Sequence, residues 1–236
     1  MPQSNEVICA DSLEWLKHNG KDVTPIRMIF ADPPDNIKMT YDEYYDYQCL
    51  DAYIDWLREL IDVMSEHTDI IWLSYYHKWM PWVLHHIIDL DMTWRQIIWR
   101  FTFGQHRQTD CGNGYRPLLR LASSDVEWNT DSIRVESARQ RLGDARADGR
   151  GRVPDDVWEF PRVVGNARER RRWISNQHPE ALVERAVLMS TQPGDMVIDM
   201  FAGSGTVHRV CKRLGRNSIS IDIDSGYVER IKNECV

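Results

Sequence analysis

The stretch VIDMFAGSGT at residues 197–206 constrains the fold more than any other part of the chain. A strand-like run leads into glycines at 203 and 205, and a helix-like segment follows at 206–214. Glycines let the backbone approach a ligand closely, and the start of a helix presents free N–H groups with a partial positive charge. The stretch therefore predicts a strand–loop–helix unit that binds an anionic group. It is not the dinucleotide fingerprint GxGxxG, because Val207 and His208 follow the second glycine.

Strand-like and helix-like segments alternate along the rest of the chain. This alternation predicts an α/β fold, with a mostly parallel sheet and helices on both faces. The 236 residues suit one domain, spanning 1–236, that carries an insertion. Strands are predicted at 6–10, 26–30, 70–76, 96–103, 118–122, 196–200 and 218–223, and helices at 12–18, 51–66, 179–190 and 206–214.

An acid, Asp222, stands at the end of the last predicted strand. In open α/β folds an acid about 20 residues beyond the glycine loop accepts hydrogen bonds from ribose hydroxyls. The pair of loop and acid indicates a cofactor that contains a nucleoside. A tight turn followed by a solvated acid is the alternative interpretation.

Charge is distributed unevenly along the chain. Residues 134–172 hold eleven Arg, no Lys and seven acids, which is a balance of +4. Because the whole chain has a net charge of −7, the rest of the chain carries −11. Arginine without lysine suits forked phosphate contacts, which favours a surface that faces nucleic acid. A solvated loop explains the window equally well. The stretch 123–151, which overlaps the start of this window, lacks periodicity and predicts a mobile loop.

Several classes of protein are excluded by composition. The five cysteines are odd in number and never spaced CxxC, which indicates reduced thiols in a cytosolic protein without a zinc site. The histidines show no metal-ligand spacing, so no metal is expected. No apolar run reaches the roughly 18 residues of a membrane span, and the N-terminus lacks the pattern of a signal peptide.

The sequence IRMIFADPPD at 26–35 ends a predicted strand with Asp-Pro-Pro. Pro33 and Pro34 fix the backbone and have no N–H to donate. Their carbonyls and the Asp32 carboxylate therefore form a cluster of acceptors at the carboxyl end of the strand, where α/β sheets bind ligands. Such a cluster suits an exocyclic amine, because it can hold the amine and stabilise the positive charge that develops during attack on an electrophile.

The order of these motifs resembles a known family, the S-adenosylmethionine-dependent amino DNA methyltransferases of the β class. In that class a catalytic Asp-Pro-Pro-aromatic motif comes first, a target-recognition region follows, and the cofactor glycine loop lies near the C-terminus. The resemblance covers nearly the whole chain, through VICADSLEWLK (7–17), FADPPD (30–35), IIWRFTFGQHR (97–107), NQHPEALVERAV (176–187) and DMFAGSGT (199–206).

The resemblance implies a Rossmann-like methyltransferase fold with a target-recognition insertion at about 104–175. It implies S-adenosylmethionine as cofactor, DNA as partner, and methyl transfer to adenine N6, with cytosine N4 as the alternative. A homodimer and a cytoplasmic location in a prokaryotic or phage-infected cell are compatible with it. The implied catalytic residues are Asp32, Pro33, Pro34 and Asp35. The implied cofactor residues are Asp11, Ser12, Asp32, Asp199, Phe201, Ala202, Gly203, Ser204, Gly205, Thr206 and Asp222, together with Gln177 and His178, whose motif departs from the family's His-Pro-Thr-Gln-Lys-Pro.

Asp35 departs from the family, which has an aromatic residue at this position to stack on an extruded base. A carboxylate cannot stack, and a second acid close to Asp32 is expected to raise one pKa of the pair. Another ring would then supply the stacking, or Asp35 would hold the target by hydrogen bonds, or the protein would be a catalytically silent DNA-binding fold. The residues expected to contact nucleic acid are Tyr41, Tyr44, Arg107, Arg168, Arg170, Arg171 and Arg172.

Overall fold

The computed structural model describes residues 5–23, 25–41, 43–102 and 108–234. Within them, eight strands form one sheet, and helices pack on both of its faces. The strands are β1 (Asn5–Cys9), β2 (Ile26–Ala31), β3 (Ile70–Ser74), β4 (Thr93–Arg100), β5 (Tyr115–Ala122), β6 (Val157–Glu159), β7 (Met196–Asp199) and β8 (Asn217–Asp222). The helices are α1 (Ser12–Asn19), α2 (Leu50–His67), α3 (Met80–Ile87), α4 (Ala138–Arg141), α5 (Glu180–Ser190), α6 (Thr206–Leu214) and α7 (Ser225–Glu234).

The strands follow the order β1-β8-β7-β2-β3-β5-β4-β6 across the sheet. Strands from β1 to β3 run parallel to one another, whereas β5 runs antiparallel to both of its neighbours, β3 and β4. The carboxyl ends of β1, β8, β7, β2 and β3 and the amino end of β5 therefore lie at one edge of the sheet. The predicted α/β fold with a mostly parallel sheet is confirmed.

The core follows from the pleat of the central strands. On β2, Ile29 and Ala31 pack against α2 and α3, while Met28 and Phe30 face α5 and α6 on the opposite side. Successive side chains of a strand point to opposite faces, so a central strand covered by helices on both sides is apolar throughout. Helix α2, predicted at 51–66, buries six apolar residues at the spacing of an amphipathic helix: Tyr53, Ile54, Leu57, Leu60, Ile61 and Met64.

The stretch after β5 has more regular structure than its sequence predicts. Helix α4 begins with a capping box, in which Ser137 Oγ accepts from the Gln140 N–H and the Gln140 side chain accepts from the Ser137 N–H. Val135 also pairs with Arg152 as an isolated bridge. The insertion predicted at 104–175 includes β5, which lies inside the sheet between β3 and β4. This part of the predicted insertion is therefore a strand of the main sheet. No helix in the described part of the chain is long and apolar enough to cross a membrane.

Candidate active site

A cavity of about 380 Å³ lies at the edge of the sheet where the parallel strands end. Asp11 and Ser12 line it after β1, residues 32–35 after β2, and Phe201 and Gly203 after β7. Asp222 lines it at the end of β8. Predicted cofactor residues and the Asp-Pro-Pro motif therefore line one cavity. Each of these segments lies at the carboxyl end of a strand in the parallel part of the sheet.

The glycine loop forms a close-fitting wall of this cavity. Gly203 has φ +48°, and a Cβ at this position would come within 3.2 Å of Ile174 Cδ1, which also lines the cavity. The Gly203 N–H donates to Asp222 Oδ2 at 2.6 Å, and the Asp224 N–H donates to Asp222 Oδ1 at 2.9 Å. A loop without a side chain at Gly203, beside a strand-end carboxylate, fits an adenosyl and amino-acid ligand such as S-adenosylmethionine.

Other predicted cofactor residues lie behind the loop rather than in the cavity wall. Ser204 Oγ and Thr206 Oγ1 are 2.8 Å apart and buried. Asp199 accepts from the Phe201 N–H, and burial, with Asp222 and Asp32 adding to it, raises the pKa of its carboxyl well above the usual value. The residues buried in the loop or next to it are Asp199, Ala202, Ser204, Gly205 and Thr206.

The two residues predicted before α5 have their side chains engaged within the protein. Gln177 Oε1 accepts from the Arg171 N–H at 2.9 Å, and its amide nitrogen donates to the Glu169 carbonyl at 2.8 Å. His178 Nδ1 lies 3.3 Å from Asp32 Oδ2, and its Nε2 lies 3.1 Å from Ser74 Oγ. His178 is thus in contact with the Asp-Pro-Pro acid, while both residues line the cavity.

Asp32 and Asp35 are joined by Arg116, a residue that sequence reasoning missed. Arg116 Nη2 donates to Asp32 Oδ1 at 2.8 Å and to Asp35 Oδ1 at 2.9 Å, and Nη1 donates to Asp35 Oδ2 at 2.8 Å. Burial opposes ionisation of Asp32, yet the neighbouring His178 and Arg116 hold the pKa of its carboxyl well below the usual range. The sequence predicted that one pKa of the pair would be raised; the pKa of Asp32 is instead lowered, because a guanidinium lies between the two acids.

The carbonyls of the motif differ in their partners. Tyr53 Oη donates to the Pro34 carbonyl at 2.6 Å, and Trp79 Nε1 donates to the Asp35 carbonyl at 2.7 Å. No residue of the described ranges donates a hydrogen bond to the Pro33 carbonyl. Asp32 keeps 29% of its side chain exposed. The carboxylate of Asp32 and the carbonyl of Pro33 are thus the acceptors that this motif leaves to a ligand.

Aromatic rings line the same cavity as Asp35, the residue that replaces the family's aromatic residue in the motif. Tyr41 and Tyr44, the predicted stacking candidates, both line the cavity and contact each other edge to face at 6.1 Å. Trp99, Phe101 and Tyr115 also line it. These three residues lie in or directly after β4 and β5, the antiparallel part of the sheet. The order of motifs along the chain therefore did not indicate that they line the cavity.

The predicted basic cluster is only partly available to a ligand. Arg171 Nε pairs with Glu234 Oε2 at 2.5 Å, and Arg170 Nη1 donates to the Gly165 carbonyl at 2.8 Å. Arg168, Arg170 and Arg172 are exposed. Arg107 lies outside the described residues.

These features define a protein of the methyltransferase class, and comparison with known proteins identifies the family. The DNA methylase family matches residues 26–233, which is most of the chain. This chain therefore belongs to the DNA methylase family, which methylates amino groups of DNA bases, and its cofactor is S-adenosylmethionine, as the sequence predicted.

Two relatives and one solved structure illustrate the similarity. The type II methyltransferase M.HpaI of Haemophilus parainfluenzae is 32% identical over 96% of this chain and 72% of its own length. The DNA adenine methyltransferase YhdJ of Escherichia coli K12 is 31% identical over 96% of this chain and 81% of its own length. The structure of the cytosine-N4-specific PvuII DNA methyltransferase aligns with a TM-score of 0.71 at 17% identity, covering 99% of this chain and 87% of that one.

Proposed function

We propose that this chain transfers a methyl group from S-adenosylmethionine to the exocyclic N6 amine of adenine in DNA. One observation carries the proposal: Asp32 and Pro33, whose carboxylate and carbonyl are left as acceptors, line the same cavity as Gly203 and Asp222. An exocyclic amine has two N–H donors, which matches the two acceptors in number.

The residues of the chain divide the work between binding and chemistry. S-adenosylmethionine supplies the electrophilic methyl group when bound. Phe201 and Gly203 hold its methionine end, Asp222 its ribose and Asp11 its adenine. Asp32 and the Pro33 carbonyl accept the two N–H groups of the target amine, which orients the nitrogen lone pair away from both acceptors. The charge of Asp32 then stabilises the positive charge that develops on the nitrogen.

Adenine N6 is favoured over cytosine N4 for two reasons. An Asp before Pro-Pro is typical of the adenine enzymes in the family that this chain resembles. The relative YhdJ, at 31% identity, is named as an adenine methyltransferase. Cytosine N4 is the alternative acceptor, and a silent DNA-binding fold is the alternative class, because Asp35 replaces the usual ring.

Binding of DNA is proposed for the region around the cavity mouth. Tyr41 and Tyr44 would contact the extruded base, since base–aromatic stacking is worth about 1–3 kcal/mol. The stretch 104–175 would read the target, with Arg168, Arg170 and Arg172 on phosphates and Arg171 held back by Glu234. The homodimer and the cytoplasmic location remain predictions.

Incubation with labelled S-adenosylmethionine and unmodified DNA, followed by nucleoside mass spectrometry, tests the proposal. N6-methyladenine is the expected product. N4-methylcytosine would retain the mechanism and change the target base. Label in tRNA or free nucleosides but not in DNA would contradict the proposed substrate, and a bound cofactor without any turnover would identify a silent fold.

A further inference from the structure

Arg116 lies between two acids with most of its hydrogen-bond donors in use. Besides its bonds to Asp32 and Asp35, its Nε donates to Ser74 Oγ at 2.7 Å. A guanidinium has five N–H donors in a fixed plane, and only 19% of the Arg116 side chain is exposed. Its orientation is therefore set by three elements of the fold: β3, β5 and the loop after β2.

The donors are divided unequally between the two acids. Both carboxylate oxygens of Asp35 accept from Arg116, in a bidentate pair, whereas Asp32 accepts through Oδ1 alone. A carboxylate offers about four lone-pair positions. Asp32 has Arg116 on one oxygen and His178 near the other, and Ser74 is a further hydrogen-bond partner of its carboxylate, so about one lone-pair position remains for another donor.

The charges of the three groups also depend on Asp35. One guanidinium between two carboxylates leaves a net charge of −1. If the carboxylate of Asp35 were absent, Arg116 and Asp32 would form a neutral pair, and the guanidinium would be free to take more of the Asp32 lone pairs. If Arg116 were absent, two like charges would share one site, which raises the pKa of one acid.

The main chain of Asp35 is held independently of its side chain. Trp79 donates to the Asp35 carbonyl, and Tyr53 donates to the carbonyl of the preceding Pro34. Replacing the side-chain carboxylate by an amide therefore keeps these two anchors. The role of the carboxylate is separable from the shape of the loop.

We propose that Asp35 is a positioning residue, which binds Arg116 in a bidentate pair and thereby leaves Asp32 charged and open to the target amine. This inference rests on the proposed methyl transfer. It explains why the aromatic position of the motif holds an acid: the acid is matched by an arginine on β5, which is separated from β2 by β3.

The test combines three variants, Asp35→Asn, Arg116→Gln and the double variant, with methyl-transfer kcat measured from pH 5 to 9. Melting temperature and cofactor Kd verify that each variant folds. Asp35→Asn should lower kcat about 10- to 100-fold, because Arg116 then occupies Asp32. The native profile should show no Asp32 limb in this range, because the pKa of Asp32 lies well below its usual value. Arg116→Gln should bring an acid limb into the range, and the double variant should remove it. Titratable or charged groups that face Asp32 are Arg116, Asp35, His178, Tyr41 and Asp199.

Two further readouts separate positioning from a structural role. The ionisation of Asp32, followed by its carboxyl ¹³C shift, needs no turnover and should follow the same order among the variants. Arg116→Lys keeps the charge without the fork, so its profile should show no acid limb, like the native one, while kcat falls. The exposed pair Asp55 and Arg58 on α2 supplies matched controls, Asp55→Asn and Arg58→Gln, which should change neither readout.

A profile of Arg116→Gln without an acid limb, or a double variant no more active than the worse single variant at pH 6, would overturn the inference while native activity stands. Failure of the proposed function itself would give a different result from failure of this inference alone. In that case the native protein itself would bind the cofactor and methylate no base.

Discussion

The main-chain N–H of Gly203 donates to Asp222 Oδ2 at 2.6 Å, so the glycine loop after β7 is tied to the end of the neighbouring strand β8. This bond sets the distance between the two parts of the wall that we assign to the methionine end and the ribose of the cofactor. A change at either residue should therefore affect cofactor binding before it affects the fold.

Gly203→Ala should weaken cofactor binding about tenfold or more. Its φ of +48° disfavours a side chain, and the new Cβ would press on Ile174 in the cavity wall. The measurement is isothermal titration with S-adenosylmethionine.

Gly215→Ala is the matched control for this change. Gly215 has φ +73°, and a Cβ added there would meet nothing within 4 Å, so this variant carries the backbone cost alone, about 1 kcal/mol or more of stability. Its cofactor Kd should equal that of the native protein. Equal losses of affinity in both variants would show that strain, rather than the cavity wall, explains the effect of Gly203→Ala.

His208 on α6 should make the fold less stable in mild acid. Burial, followed by Lys212 and Arg209, lowers its pKa to about 4 from the usual 6.5. Between these values the unfolded chain binds a proton that the folded chain does not, so the free energy of unfolding falls as the pH falls. From pH 6.5 to 4.5 the native protein should lose about 2 to 3 kcal/mol more than His208→Gln.

Urea unfolding of both proteins at a series of pH values measures this difference. Asp199 and Asp222, whose pKa values are raised, are present in both proteins and cancel in the comparison. Parallel stability curves for the two proteins would show that the His208 ring is charged inside the fold.

Replacing Arg168, Arg170 and Arg172 together by Gln should reduce the salt dependence of DNA binding. Each phosphate contact contributes about 0.9 to the slope of log K against log salt, so three lost contacts lower the slope by about 2 to 3. Fluorescence anisotropy at several salt concentrations gives the slope.

A control variant with the same change in net charge replaces Lys17, Arg58 and Arg95, each of which is paired with an acid elsewhere on the surface. Its slope should match that of the native protein. An equal reduction in both variants would indicate general electrostatic attraction instead of contacts at the predicted cluster.

The sequence predicted those parts of the fold that carry a local signal. Strand β2 could be identified because a buried strand in a parallel sheet is largely an apolar run, and β8 because isoleucines alternate with serines in it. Each of the two strands leads to an acid at the ligand-binding edge. Helices α3 and α7 escaped detection because each buries only two residues, Val83 and Ile87 in one and Val228 and Ile231 in the other. Two buried positions are too few for a helical period to stand out.

Arg116 could not be assigned from local pattern, because its partners Asp35 and Asp32 lie 81 and 84 positions away. It is the second residue of the antiparallel strand β5, so it reaches the site from the amino end of a strand, whereas the other site residues lie at carboxyl ends. One signal was present in the sequence. Two acids three residues apart at a ligand-binding edge require a cation, and Arg116 stands two residues before the apolar run at 118–122, outside the Arg-rich window.

The most direct test of the central claim compares Asp32→Asn with the native protein in methyl transfer from labelled S-adenosylmethionine to DNA, under single-turnover conditions. Asparagine retains an acceptor oxygen and loses the charge, and titration of the cofactor shows whether the site is otherwise intact. The account predicts a rate at least about 100-fold lower with the cofactor still bound. A near-native rate for Asp32→Asn would contradict the account, because the charge at Asp32 would then have no part in stabilising the amine.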